Sequence, residues 1–311
     1  MNAPLVGRLA VIGAGLIGSS VARAAREKGL AGEVVVFDAD AGVRERVRAL
    51  GFADAVPQSV AEAVRGADIV IAAVPVGASG AVAEQVGPHL KPGAILSDVG
   101  SVKGAVVEAM APFVPAHAHL VPAHPVAGTE FSGPEAGFAS LFENRWCIVT
   151  PPEGADPAAV ETLAALWRGF GSNVEQMSAQ HHDLVLAITS HVPHLIAYNI
   201  VGTAEHLEQT LTSEVIKFSA GGFRDFTRIA ASDPTMWRDV FLYNREAVLE
   251  MLARFNEDLM SLQRAIRYGD GEALFQHFTR TRAIRKSIIE QGQETAAPDF
   301  GRRGGEGGAA Q

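Results

Sequence analysis

A doubly wound, mainly parallel α/β sheet followed by an all-α C-terminal half is the fold class that the sequence predicts. Three observations carry it. Short apolar runs alternate with amphipathic segments as far as about Gln176, the spacing of βαβ units. Beyond that point the strand signal stops, and helical periodicity continues to about Gly292. A glycine-rich turn, Gly13-Ala14-Gly15-Leu16-Ile17-Gly18, stands between the first apolar run and the first helix pattern.

The elements follow in order. Arg8 to Ile12 is a strand, and the helix pattern after the glycine turn runs to about Gly29. Val34 to Phe37 is a second strand ending at Asp38. Asp68 to Pro75 is a third, stopped by its proline, and Ala94 to Asp98 a fourth. Arg145 to Thr150 and Asn173 to Met177 read as further strands with a helix between them. Trp237 to Tyr268 contains no Gly or Pro, and its apolar residues recur at helical steps. As one helix it would be ~45–50 Å long, longer than one small domain covers. A second copy of the chain is therefore expected over part of its apolar stripe, making the protein a homodimer. The expected domains are residues 1–176, 177–294 and a disordered, Gly- and charge-rich tail, 295–311.

Composition narrows the function classes. The net charge of -9 leaves no electrostatic footprint for nucleic acid. The single Cys147 excludes an internal disulfide and fits a reducing compartment; in its apolar run it reads as a buried structural thiol. Met1 to Gly7 lacks a signal-peptide pattern, and no apolar run of the ~20 residues of a membrane helix stands out, so a cytoplasmic protein without membrane contact is expected.

Gly13, Gly15 and Gly18 form the G-x-G-x-x-G fingerprint in its strand–turn–helix context, which makes the first half Rossmann-type. The helix that opens at Leu16 and Ile17 turns unpaired N–H groups toward a diphosphate. Asp38, 20 residues past Gly18, can accept from ribose hydroxyls and repel a 2′-phosphate, which favours NAD over NADP. Its alternative role is a helix cap. Val74-Pro75 and Ser101 end strands on the same carboxyl edge, where ligands lie in open α/β sheets. Ser101 also precedes a helix pattern, so it reads equally well as an N-cap.

The chemistry-bearing segments come next. His124 enters a Pro/Gly-rich turn, His124-Pro-Val-Ala-Gly128-Thr129-Glu130. Asp98-Val-Gly-Ser101-Val-Lys103 precedes it, and His182-Asp183, Ser190-His191-Val-Pro193-His194 and Asp225-Phe-Thr227-Arg228 follow. In this order they resemble the prephenate/arogenate dehydrogenase family of tyrosine biosynthesis, including its cyclohexadienyl dehydrogenases. The resemblance runs from about Arg8 to Ile289. It implies that His124 is catalytic with Ser101 as its partner, that Arg228 binds a substrate carboxylate, and that Ser190 and His194 line the pocket. Thr129 and Glu130 would stand at its mouth, with Glu130, Asp225 and Arg228 in an ionic network. Where some relatives carry His-Lys before the aspartate, this chain has Phe223-Arg224.

Prephenate requires these residue types. Its C4 hydrogen leaves as hydride to the nicotinamide, its C4 hydroxyl loses a proton, and its ring carboxylate leaves as carbon dioxide. A neutral His suits the proton, a Ser hydroxyl the orientation, and a guanidinium the carboxylate. No metal is needed: His181-His182 and His191/His194 have no nearby Cys and carboxylate set to complete a zinc site. Arg224, four residues before Arg228, would add a cation and favour prephenate over the ammonium-bearing arogenate. Two other readings remain. A β-hydroxyacid-type dehydrogenase would use a helix lysine with an Asn four residues on, but after Gln176 only Lys217 and Lys286 are present, without that Asn. A non-enzymatic NAD-responsive protein would not need the His124, Ser101 and Arg228 set.

Overall fold

The computed structural model describes residues 3–129, 131–207 and 221–290. Five parallel strands form the main sheet in the order β2-β1-β3-β4-β5, from Val6–Ile12 (β1), Ala31–Phe37 (β2), Ile69–Ala72 (β3), Ile95–Asp98 (β4) and His119–Leu120 (β5). Leu9 registers with both Val34 and Ile69, and Ile69 with Ile95. The strands are apolar throughout because both faces are covered. Leu9, Val11, Val34, Val36, Ile69 and Ile71 enter one core with Phe142, Trp167 and Phe170. Ala10, Ile12, Val35, Val70 and Ala72 enter the other with Val106, Met110, Trp237 and Val240. The second core thus joins sheet residues to a residue pair from the helical half.

The helices between the strands are α1 (Leu16–Glu27), α2 (Ala41–Leu50), α3 (Val60–Val64), α4 (Ser79–Val86) and α5 (Lys103–Met110). Strands β6 (Ala123–Pro125), β7 (Trp146–Val149) and β8 (Asn173–Gln176), with α6 (Pro157–Gly169) between the last two, make a separate mixed sheet. In it β6 is antiparallel to β7, and β7 is parallel to β8. The expected later strands are therefore present, but they do not extend the main sheet. Cys147 is buried on β7, and burial pushes its thiol well above the usual range.

A buried ion pair holds the two sheets together. Asp98, at the end of β4, takes the Lys103 ammonium on Oδ2 at 2.5 Å, and neither side chain is accessible to any extent. The same ammonium donates to the Ala123 carbonyl at 2.8 Å, while Asp98 accepts from the amides of Gly100 and Ala123. The start of β6 is thereby tied to the end of β4.

The helical half begins with α7 (Ala179–Leu186), a π-helical turn (Ala187–His191) and α8 (Val192–Leu207). Pro193 has no N–H to return to Thr189, and a widened turn just before it is the local answer. This continuous run, Ala179–Glu205, is long and apolar enough to cross a membrane by length and composition, contrary to the sequence expectation. Its His182, Asp183 and His191 are buried and hydrogen-bonded within the protein.

Then come α9 (Gly221–Thr227), a 3₁₀ turn (Arg228–Ala231), α10 (Pro234–Tyr243), α11 (Arg245–Tyr268) and α12 (Gly271–Glu290). The single helix expected over Trp237–Tyr268 is broken at Asn244. Its buried side-chain amide donates to the Asp183 carbonyl at 2.8 Å and to His191 Nδ1 at 3.0 Å, and its backbone leaves helical geometry. The chain divides into two compact units at Met251/Leu252. In the second unit, Leu259, Met260, Ile266, Phe275, Phe278 and Ile284 are exposed. The tail expected at 295–311 lies outside the described residues.

Replacing Lys103 with Met should cost roughly 3–5 kcal/mol of stability, because it strands a buried carboxylate. Denaturant unfolding measures it; a loss below 1 kcal/mol, or about that, would mean the pair is not buried as described.

Candidate active site

The order β2-β1-β3 reverses the direction of strand addition at β1, so a crevice opens beyond its carboxyl end. The glycine turn fills that place. Gly13 has φ +99°, and a Cβ there would lie 2.3 Å from the Ala73 carbonyl oxygen; one on Gly18 would lie 1.9 Å from the Gly13 oxygen. Only glycine lets the turn, the helix and the end of β3 approach so closely. At Gly15 a Cβ would meet nothing within 4 Å, so the backbone is open to a ligand. Gly15 begins α1 with no side-chain cap and no acidic residue in the first turn, which leaves the leading amides at Leu16, Ile17 and Gly18 for an anion.

Asp38 stands at the end of β2. Its Oδ2 accepts from Ala14 N at 2.8 Å and its Oδ1 from Asp40 N at 2.9 Å, so it braces the turn. It is not the cap of α2; Asp40 is, accepting from Gly42 and Val43. Val74 and Pro75 follow β3 on the same edge, Val74 half-buried and Pro75 exposed. A dinucleotide therefore fits the residues present. A separate cleft of about 400 Å³ at the opposite, amino edge, bordered by Gly7, Asp68, Gly93 and His119, has none of these features.

His124 sits on β6, paired with Ile148, and not in the turn that the sequence suggested. The short strand escaped notice because His-Pro between apolar residues carries no alternation. His124 is buried, and its Nδ1 meets His182 Nε2 at 2.8 Å. His182 Nδ1 meets Asp183 Oδ1 at 2.8 Å. Asp183 in turn accepts from the first amides of α5, Lys103 N at 2.7 Å and Gly104 N at 2.8 Å. Asp183 thus caps α5 from another helix. Ser101 is not its N-cap; Val102 holds that position, and Ser101 is half-buried three residues after Asp98.

On the helical side, Ser190 lies in the π turn, and its carbonyl accepts from His194 Nδ1 at 2.8 Å. The His194 ring stacks on Trp237 with centroids 3.7 Å apart. His191 is fully buried; with Nδ1 accepting from Asn244, its Nε2 carries the proton. That Nε2–H and Trp237 Nε1–H are buried donors without an acceptor among the described residues.

Arg228 begins the 3₁₀ turn, exposed, and its charge reaches His194. Asp225 pairs with Arg224, Oδ1 to Nε at 3.3 Å. The Arg224 side chain is 75% exposed, and the helix ends at Thr227, so Arg224 and Arg228 do not share one α-helical face. Thr129 is exposed, its hydroxyl accepting from Phe131 N at 3.3 Å. Glu130, and with it the expected three-membered ionic network, lies outside the described residues.

Sequence reasoning left Lys103, His182, Asp183, His191 and Asn244 without roles. Two signals pointed to the first three, and none to Asn244. Lys103 falls two residues after Ser101, and His182-Asp183 was already among the resemblance segments.

All four site histidines are held below the ordinary value of a histidine. For His124, burial acts first, then the fields of His182, Lys103 and His191. Burial outweighs the Asp183 hydrogen bond for His182 and leads for His194; for His191 it brings the value down to about 4. These rings are neutral at neutral pH.

A glycine-turn dinucleotide site at a sheet switch point, together with a buried neutral histidine, points to a nicotinamide dinucleotide-dependent oxidoreductase. The comparisons with known proteins specify it further. Residues 21–176 match the model described as "Prephenate dehydrogenase, nucleotide-binding domain", and residues 178–280 match "Prephenate dehydrogenase, dimerization domain". The chain is 43% identical to a cyclohexadienyl dehydrogenase of Zymomonas mobilis over 90% of its own length and 95% of the relative's. It is 33% identical to a prephenate dehydrogenase of Bacillus subtilis, covering 93% of this chain and 77% of that one. Its fold is similar to that of the Aquifex aeolicus prephenate dehydrogenase solved with hydroxyphenyl propionate and NAD+, at a TM-score of 0.85 and 32% identity over 91% of this chain and 98% of that one. The chain belongs to the prephenate dehydrogenase family.

Stability should fall with acid. The unfolded chain protonates these histidines below about pH 6.5 and the folded chain resists, so lowering the pH favours unfolding. For His191 the loss begins as the pH drops through 6.5 and levels off below about 4. At pH 5 it is on the order of 2 kcal/mol from His191 alone. Denaturant midpoints should decline from pH 7 to pH 5, and less steeply in His191→Gln. A flat profile would contradict the buried neutral cluster.

Proposed function

We propose that the chain catalyses the NAD-dependent oxidative decarboxylation of prephenate to 4-hydroxyphenylpyruvate, a step of tyrosine biosynthesis. The observation that carries this reading is His124: a neutral, buried histidine hydrogen-bonded through His182 to Asp183, in a chain that also carries the dinucleotide turn. The family relationship supports it, and the Aquifex relative's bound NAD+ and hydroxyphenyl propionate name a cofactor and an aromatic ligand of that protein.

NAD, when bound, accepts the hydride released from C4 of the substrate. Gly13, Gly15 and Gly18 let the backbone approach its diphosphate, the α1 amides of Leu16, Ile17 and Gly18 bind it, and Val74 and Pro75 border it. Asp38 braces the turn and presents the carboxylate that selects a free ribose hydroxyl.

His124 takes the proton of the C4 hydroxyl, which Ser101 orients. Arg228 grips a substrate carboxylate at the exposed end, with Asp225 and Thr129 around the mouth. Ser190 and His194 line the wall. The ring carboxylate departs as carbon dioxide, driven by aromatisation. The proposal includes a cytoplasmic location, for which the reduced, buried Cys147 is the support.

His124→Asn should lower kcat by about 10²–10⁴-fold with a much smaller change in the prephenate KM. The assay is NADH formation from prephenate at saturating NAD; near-full kcat in the variant would overturn the assignment.

The domain division proposed is 1–176 and 177–294, with the second part forming a homodimer. Its support is the family model over residues 178–280 and the exposed apolar side chains of α11 and α12, such as Met260, Ile266, Phe275 and Phe278. Sedimentation at micromolar concentration should give a dimer, and Phe275→Asp with Phe278→Asp should shift it toward monomer. A monomeric wild type refutes the proposal.

A further inference from the structure

We propose that His182 is a positioning residue: held by Asp183, it fixes His124 as the Nδ1–H tautomer and leaves His124 Nε2 as the nitrogen that receives the substrate proton. This rests on the reading of His124 as the base.

The argument is one of donors and acceptors. The amides of Lys103 and Gly104 can only donate, and both point at the Asp183 carboxylate, at 2.7 and 2.8 Å. A bare imidazole nitrogen facing Asp183 Oδ1 at 2.8 Å would set lone pair against lone pair, so His182 Nδ1 carries the hydrogen. A neutral imidazole has one N–H, and His182 Nε2 is therefore an acceptor. The contact from it to His124 Nδ1, also 2.8 Å, then needs its hydrogen on His124. The remaining nitrogen, His124 Nε2, is unprotonated and has no partner among the described residues.

The chain of inference requires both rings to be neutral, and their surroundings keep them so. The groups facing the pair are Lys103 on α5, Asp98 on β4, Asp183 on α7 and His191 in the π turn. Burial opposes a second positive charge, and the buried ammonium of Lys103 does the same. Rotation is blocked as well. His182 is fully buried, its ring meets His124 edge-on at 5.0 Å between centroids, and the Asp183 carbonyl is pinned by Asn244.

During turnover the proton of the C4 hydroxyl passes to His124 Nε2 as the hydride leaves, and it returns to that oxygen when loss of carbon dioxide places an electron pair there to give the product phenol; none passes to His182. The charge it creates strengthens the hydrogen bond from His124 Nδ1 to His182, which in turn polarises toward the Asp183 carboxylate. Without His182, His124 is free to place its hydrogen on Nε2, where it cannot accept.

The test combines kinetics with a direct reading of the tautomer. Histidine-selective ¹⁵N NMR of the full-length wild type should show His124 as the Nδ1–H form between pH 6.5 and 8, its resonances assigned by their loss in His124→Asn. His182→Phe should shift His124 toward the Nε2–H form and lower kcat by about 10–10³-fold, with the KM values for prephenate and NAD little changed. His182→Gln, whose Oε1 can accept from His124, should recover at least about tenfold of that loss. An Nε2–H wild-type His124, wild-type kcat in His182→Phe, or equal loss in Phe and Gln variants would overturn the proposal. The wild-type spectrum decides even if the Phe variant fails to fold. Loss of kcat in His124→Asn with an Nε2–H wild-type spectrum would sink the positioning role alone; full kcat in His124→Asn would sink the base reading beneath it.

Discussion

The carboxylate of Asp183 is the junction on which the site depends. It comes from the helical half and binds the first amides of α5, which belongs to the sheet half. Backbone amides at a helix start are obligatory donors, and a buried pair of them needs an acceptor. No residue preceding α5 supplies one by its side chain, so the cap must come from elsewhere in the fold. The same carboxylate orients His182, and through it His124 on a third element. One tertiary contact therefore caps a helix, docks the helical half on the sheet and aligns the ring chemistry. This explains why Asn244 interrupts an otherwise continuous helix: its side chain secures the Asp183 carbonyl and His191 together.

Beneath this junction lies the ion pair of Asp98 and Lys103. A buried cation usually carries a large desolvation penalty, which a short contact and full hydrogen bonding can offset. Lys103 has both, with Asp98 Oδ2 and the Ala123 carbonyl as partners. Its field also bears on the neighbouring histidines, holding His124 and His182 in the neutral form that a base requires. The residue that ties β6 to β4 thus sets the electrostatics of the side chain that β6 presents.

The substrate side follows a different rule. His194 stacks on Trp237 and is oriented by a carbonyl within its own helical run, while the π turn before Pro193 sets where Ser190 and His191 fall. The carbonyl contact and the π turn are local devices, set within Ser190-His191-Val-Pro193-His194, whereas the Trp237 stack is tertiary. Their consequence, two buried N–H groups without partners, appears only when Asn244 and Trp237 are brought alongside.

The sequence by itself determined the parallel sheet, the dinucleotide turn and the helical second half. Each depends on local physics: strands buried on both faces must be apolar, a turn with φ +99° and a helix against it must be glycine, and helices repeat their apolar residues. Family resemblance supplied His124, Ser101 and Arg228 as candidates. Only the tertiary structure decided the second sheet, the strand that carries His124, the break at Asn244, and the pairing of Arg224 with Asp225. It also brought His182 within 2.8 Å of His124 across 58 residues of chain, and Asp183 to the start of a helix 79 or 80 residues earlier. The physical reason is range. Propensity and periodicity report a residue's neighbours in sequence, whereas a buried donor or charge is satisfied by whatever the fold places beside it.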